Sequence, residues 1–174
     1  TRAETMTPHR ADVLEKMNLL RMNIGIEHGN PDYRKKILKR NVSNEKTLEA
    51  FQMVAGKAYT TVANSIIGMP DENRDLIFDT VKLNRSLHAD IEASGAFIWT
   101  PYHGTPLRTY AVQRGYLDDE VIVSISNCNR SLLKMPMITQ EEVQGLARTF
   151  SFYVKFPEDR FDEKTIRRIQ HNHA

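Results

Sequence analysis

Three short clusters in this chain carry residue types that could hold a ligand: Glu27 with His28 and Gly29, Asn64 with Ile66 and Gly68, and Thr100 with Tyr102 and Gly104. A carboxylate can accept two ribose hydroxyls, an exposed apolar side chain can cover an adenine face, and glycine permits close backbone approach. Together these types suit a nucleoside. Each cluster taken alone also reads as ordinary strand-to-helix turn chemistry, and only their recurrence at intervals of roughly 35 residues shifts the balance toward a site.

Every cluster closes a β-rich run. Asn23-Ile-Gly-Ile-Glu-His-Gly-Asn30, Thr60 to Glu72 and Gly95-Ala-Phe-Ile-Trp-Thr-Pro-Tyr-His-Gly-Thr105 each end in polar or glycine residues before a helical pattern begins. The helices announce themselves by their caps. Thr7-Pro8, Asn30-Pro31 and Thr105-Pro106 place a capping side chain before a proline at the first helical position, Ser43 caps another helix, and Asn73 or Glu72 caps the helix after the second strand. Val13, Met17 and Leu20 have helical spacing in the first, and Leu48, Phe51, Met53 and Val54 form a stripe in the third. Three strand-helix units in order describe part of a β/α barrel or a doubly wound sheet, and both architectures place ligands at the carboxyl ends of their strands.

From Leu117 the rhythm changes. Val121 to Ile125 alternate weakly, Ser126 to Ser131 reads as a polar loop, and Thr139-Gln-Glu-Glu142 is a capping box before a helix bearing Val143, Leu146, Phe150 and Tyr153. Phe156-Pro157 stops that helix, and Asp162 to Gln170 reads as a last short one. The organisation expected is an α/β partial (half) barrel of parallel strands over residues 1–116, with a helical appendage over 117–174 packed outside the sheet.

With 174 residues, 40% of them hydrophobic, the chain can bury a real core. The net charge of +2 argues against a dedicated nucleic-acid surface. The local basic run of Arg34, Lys35, Lys36, Lys39 and Arg40 then reads as a solvated helix face. One cysteine, Cys128, cannot form an internal disulfide, and no segment resembles a signal peptide or a membrane span, so the expected setting is cytoplasmic with no membrane partner.

Four stretches carry a more specific resemblance: Gly25-Ile-Glu-His-Gly-Asn30, Arg34-Lys-Lys-Ile-Leu-Lys-Arg-Asn-Val-Ser43, Ile66-Ile-Gly-Met-Pro-Asp-Glu72 and Thr100-Pro-Tyr-His-Gly-Thr105. In that order they resemble the carboxyl-terminal half of a radical S-adenosylmethionine enzyme. The branch resembled most is the one containing cobalamin-binding enzymes, whose likeness extends through Lys134-Met-Pro-Met and Phe150-Ser-Phe-Tyr-Val-Lys-Phe-Pro157. The resemblance implies a partial six-fold barrel in which a four-iron four-sulfur cluster reduces S-adenosylmethionine to methionine and a 5′-deoxyadenosyl radical. Cobalamin is a further cofactor it implies for the parent protein. Position by position, Glu27 falls where the family contacts the ribose or amino-acid part, and Ile66 and Gly68 fall in the strand motif lining the adenine, with Asn64 a polar contact. Trp99 to Pro101 falls where main-chain groups read the adenine edge, and Arg40 is a candidate for the methionine carboxylate.

The chain also departs from the family. The C-x-x-x-C-x-x-C cluster loop is absent, and the lone Cys128 reads as a small hydrophobe or an idle surface thiol. No metal ligand or catalytic residue is assigned. His28 and His103 read either as substrate-side acids or bases or as hydrogen-bonded turn histidines, and Asp71 and Glu72 as negative charge at a helix start. The expectation is therefore a fragment, inactive alone, cut from an iron-sulfur oxidoreductase or methyltransferase. Its expected partners are the missing amino-terminal half of the barrel and, in isolation, a second copy, because Ile24, Ile26, Ile66, Phe97 and Trp99, or their alternates, would face water. Two other readings stand beside it: a small α/β adenine-nucleotide-binding module, and a partner-binding half-barrel without catalysis.

Overall fold

The computed structural model describes residues 1–123 and 130–156. Three strands, β1 (Arg21–Glu27), β2 (Thr60–Ile67) and β3 (Glu92–Ile98), form a parallel sheet in the order β1-β2-β3. Six α-helices accompany them among the described residues: α1 (Pro8–Lys16), α2 (Pro31–Lys36), α3 (Asn44–Gln52), α4 (Arg74–Arg85), α5 (Pro106–Gln113) and α6 (Gln140–Lys155). This is the α/β architecture of a partial barrel with a helical appendage, as the alternation of strand and helix signals indicates. No helix among the described residues is long and apolar enough to cross a membrane. Cys128, Pro157, and the short helix expected over Asp162 to Gln170 lie outside the described residues.

Local chemistry sets the helix starts. The side chains of Thr7, Asn30, Ser43 and Thr105 accept hydrogen bonds from the main-chain N–H groups of Arg10, Tyr33, Lys46 and Arg108. Asn73, rather than Glu72, takes that role for α4, accepting from Leu76 N at 2.9 Å. Thr139 and Glu142 close the expected capping box on α6. Each such cap contributes about 1 kcal/mol.

Two compact units divide the chain, one formed by Thr1–Ser65 with Phe78–Ser94, the other by Ile66–Ile77 with the described residues from Gly95 onward. In the first, Met22, Ile24 and Ile26 are buried among Ala3, Met6, Ala11, Phe51, Val54 and Ala63. Arg21, Asn23, Gly25 and Glu27 then line the opposite face of β1, because successive side chains of a strand point opposite ways. The face is therefore the reverse of the one expected: Ile24 and Ile26 thus pack on the helices, and it is their alternates along β1 that take the other face. The α1 stripe fails. The helix ends at Lys16, Asn18 turns left-handed at φ 54°, and Met17 and Leu20 are left exposed while Ala11 and Leu14 make the contacts. Lys57 holds α1 instead, reaching Asp12 at 2.6 Å and Glu15 at 3.1 Å.

In the second unit, Val143, Leu146, Phe150 and Tyr153 of α6 are all buried, as their spacing predicts. Ile67 and Ile98 are buried as well, whereas Phe97 is 49% exposed.

Candidate functional site

At the carboxyl end of β1 three departures from regular strand geometry coincide. The pairing with β2 runs in step from Arg21↔Thr60 to Gly25↔Asn64 and then slips between Gly25 and Glu27. A slip of this kind bends a strand and re-aims the side chain that follows. Glu27 itself has φ 65°, a left-handed conformation that costs a residue with a Cβ about 1–2 kcal/mol. Its carboxylate folds back over Gly25, where an added Cβ would lie 2.6 Å from Oε1. Glycine at 25 is thus the vacancy that seats Glu27.

Arg40 completes this cluster. Its guanidinium lies 3.2 Å from Glu27 Oε1 and donates to Glu4 at 2.9 and 3.1 Å, with the Glu27 side chain 30% exposed and Arg40 14%. Burial pushes the Glu4 carboxyl up, but its backbone hydrogen bond and the Arg40 charge outweigh that and hold it below the usual range. Two carboxylates face this guanidinium, and the charges of Arg2 and Arg34 also act on Glu4. Asn64, paired in register with Gly25, points to the same side of the sheet as that glycine, since paired residues of parallel strands point the same way. Of the candidates in this unit, Glu27 and Arg40 do come together; Asn64 pairs with Gly25, before the slip that sets Glu27 against Ser65.

The turn after Glu27 is built otherwise than a ligand loop. His28 is fully buried, its Nδ1 accepts from Asn30 N at 3.0 Å, and its ring stacks on Tyr33 at 4.2 Å. It is the turn histidine. The close approach that Gly29 allows is filled by α4, because a Cβ there would lie 2.2 Å from the Asp79 carbonyl oxygen and 2.4 Å from Thr80 Cα. Thr80 Oγ1 accepts from Gly29 N at 2.8 Å, and Asn44 Nδ2 donates to Gly29 O at 3.0 Å.

Arg34 overturns the reading of the basic run as a uniformly solvated face. It is 1% exposed and donates to the carbonyls of His28 and Val42 and to Asn44 Oδ1, tying the turn to the start of α3. Burial lowers its pKa, and the charge of Arg40 adds to that. Lys35, Lys36 and Lys39 do face solvent.

In the second unit, Trp99 N donates to Ile67 O at 2.8 Å, setting the partly buried Trp99 beside the end of β2, where Ile66 is half-buried. Gly68 has φ 76°, and the space above its Cα is taken by Val143 Cγ1, 2.7 Å from where a Cβ would sit. The freedom of this glycine serves a turn and the packing of α6. Pro101 is buried and its carbonyl accepts from Arg108, whose guanidinium also reaches the carbonyls of Asp119 and Val121 at 2.8 and 3.0 Å. Of the main-chain groups of Trp99 to Pro101, expected to read the adenine edge, the Trp99 N–H and the Pro101 carbonyl are engaged within the chain. His103 is exposed.

Asp71 and Glu72 are turn-builders here, which the helix dipole alone does not explain. Glu72 is fully buried and Oε2 accepts from the N–H groups of Gly68 and Met69. Asp71, left-handed at φ 62°, accepts from the hydroxyls of Tyr110 and Tyr116 and from Arg114, at 2.7 Å for Tyr116 and at 3.0 and 3.2 Å for Arg114. Burial raises its pKa, but those hydrogen bonds and the Arg114 charge leave it below the ordinary carboxylate value. Glu4, Arg34 and Arg108 were not legible as site or scaffold residues. Their partners are mostly main-chain carbonyls or distant side chains, which no local spacing marks.

Fold and strand ends together describe an α/β protein with a polar, strained site at the carboxyl end of a parallel strand. Residues 1–83, which carry β1, β2 and most of α4, match the sequence model of the Radical SAM superfamily. The chain is also similar to an uncharacterized methyltransferase of Pyrococcus horikoshii, 26% identical over 157 residues that make up 89% of this chain and 33% of that protein. It spans about a third of the length of that relative.

Proposed function

We propose that this chain is part of a longer radical S-adenosylmethionine enzyme, and that its strand ends bind S-adenosylmethionine. The observation that carries the reading is Glu27. It is a partly exposed carboxylate held left-handed by a strand irregularity, inside the stretch that matches the superfamily model. Strain of this kind persists where surrounding structure holds it, and it concentrates at functional sites.

The residues present fit the cofactor. Glu27 would accept ribose hydroxyls or the ammonium group, since a carboxylate takes up O–H and N–H donors. Arg40 is the weaker ligand, since Glu27 and Glu4 already engage its guanidinium. Asn64, one strand over and opposite Gly25, is the proposed polar contact. Ile66, Gly68, Trp99 and Pro101 remain the proposed adenine side. When bound, S-adenosylmethionine supplies the radical and methyl chemistry of the superfamily.

An iron-sulfur cluster does not fit this chain, which has a single cysteine where cluster ligation needs several thiolates. Its ligands would come from elsewhere in the full-length protein, with residues 1–116 as the carboxyl-terminal half of the barrel and 117–174 as its appendage. The chain alone would then be inactive, and in isolation it would self-associate through its open sheet. The methyltransferase name of the relative, together with the likeness at Lys134-Met-Pro-Met, supports methyl transfer in the cobalamin-binding branch.

The test is Glu27→Gln in the full-length protein. It preserves size and removes charge-assisted hydrogen bonds contributing about 1.5–3 kcal/mol, so affinity for S-adenosylmethionine falls roughly 10- to 150-fold by calorimetry. Unchanged affinity with the fold intact would show that this strand end is only a turn.

A further inference from the structure

The turn that follows β2, from Gly68 to Glu72, contains two left-handed residues, Gly68 at φ 76° and Asp71 at φ 62°. Glycine adopts that backbone freely, but Asp71 carries a Cβ and does so against a steric cost. The start of α4 does not require it, because Asn73 supplies the cap. What holds Asp71 there comes from much later in the chain: the hydroxyls of Tyr110 and Tyr116 donate to its carboxylate, and the Arg114 guanidinium reaches Oδ1 through both Nε and Nη2. The other end of the turn is fixed as well. Glu72 Oε2 accepts from Gly68 N and, at 3.1 Å, from Met69 N, while Val143 Cγ1 of α6 occupies the space above Gly68, with Ile98 Cγ2 beside it. Lys134 N donates to Tyr116 O at 2.8 Å, which joins the segment before α6 to the same cluster.

We propose that Tyr110, Arg114 and Tyr116 are positioning residues for an adenine ring: acting through Asp71, and together with Val143, they hold the turn after β2 in the conformation that receives the base. This rests on the reading of Ile66 and Gly68 as the adenine side. The four residues all lie beyond residues 1–83, the stretch that matches the superfamily model, so the appendage and the end of α5 become part of how this chain shapes the site. The division of the chain agrees with that role, since residues 66–77 form one compact unit with the described residues from Gly95 onward. A ligand that binds one conformation of a turn has an apparent affinity proportional to the population of that conformation. Donors that keep a strained residue in place therefore act on affinity without touching the ligand.

The test removes those donors in the full-length protein. Tyr110→Phe combined with Tyr116→Phe takes away both hydroxyls and keeps both rings. By calorimetric titration, S-adenosylmethionine and adenosine should each bind about 10-fold more weakly than to the parent, about 1.4 kcal/mol, as the turn then spends only about a tenth of its time in the binding conformation. If the double variant does not fold, Arg114→Ala tests the same link from a side chain that is half exposed, and Arg114→Lys, which returns a cation to Asp71, recovers most of the loss. Unaltered affinity in a folded variant overturns the proposal, even where the melting temperature drops, because the cluster is then scaffold alone. So does weaker S-adenosylmethionine binding with adenosine binding unchanged, since the base would not be what the turn seats. A parent protein that binds neither ligand overturns the cofactor reading itself, and this inference with it.

Discussion

The left-handed backbone at Glu27 makes a quantitative prediction that separates strain from binding. Replacement by alanine keeps the φ of 65° unfavourable and removes the ion pair with Arg40. With one partner 30% and the other 14% exposed, that pair is screened and contributes at most about 1 kcal/mol. Replacement by glycine loses the same pair but relieves about 1–2 kcal/mol of steric cost, offset in part by about 0.5–1 kcal/mol of added freedom in the unfolded chain. Glu27→Gly should therefore be about as stable as the parent, and more stable than Glu27→Ala by about 1 kcal/mol. In a domain of this size that difference appears as a melting temperature higher by about 2–4 °C. Both variants lose the carboxylate and with it affinity for S-adenosylmethionine. Thermal unfolding followed by circular dichroism, with calorimetric titration beside it in the full-length protein, reads the two effects separately. If alanine matches or exceeds glycine in stability, Glu27 is not held left-handed and the strain argument fails.

Two glycines near that residue should behave in opposite ways. Gly25→Ala displaces only the flexible end of Glu27, so affinity for S-adenosylmethionine falls while the melting temperature barely moves; Gly29→Ala drives a methyl into α4 backbone and costs about 3 kcal/mol or more, seen as loss of cooperative unfolding. At Asp71 the sign of the pH dependence follows from a folded pKa below the unfolded one. Its contribution is complete above about pH 4 and disappears as the pH falls through the lower folded value, so Asp71→Asn flattens the stability profile on the acid side of pH 4. Anaerobic incubation of this chain with iron and sulfide should leave it colourless, and a stoichiometric cluster absorbing in the visible would overturn the assignment of its ligands elsewhere.

What the sequence made legible was what short-range chemistry determines. Thr7, Asn30, Ser43, Thr105 and Thr139 cap helices because each needs only the next turn of its own chain. The stripe of α6 could be read because period and burial coincide over four turns. Which face of β1 meets the helices could not, because Ile24 and Ile26 would suit an apolar barrel interior as well as a helix-covered face. The polar set of Asn23 and Glu27 decides it only once both faces are seen. Arg34 and Arg108 were hidden for another reason. A buried guanidinium held by main-chain carbonyls leaves no complementary side chain in the sequence to pair it with.

Two strand ends carry a left-handed acidic residue, and their surroundings assign them different roles. Asp71 is enclosed by Tyr110, Tyr116 and Arg114, so its unfavourable backbone is offset by hydrogen bonds that hold α5 and the segment after it; the carboxylate is consumed by the scaffold. Among the described residues Glu27 pairs with Arg40, itself shared with Glu4, and it keeps nearly a third of its side chain open to solvent. A carboxylate that served only to hold Arg40 could do so from an unstrained strand end, without a register slip and without a glycine cleared beneath it. The combination of strain, a cleared glycine and a partly exposed carboxylate is what a ligand would complete. By that criterion Glu27 is the member of the pair proposed to meet a ligand, and the match of residues 1–83 to the superfamily model is what makes S-adenosylmethionine the ligand to test.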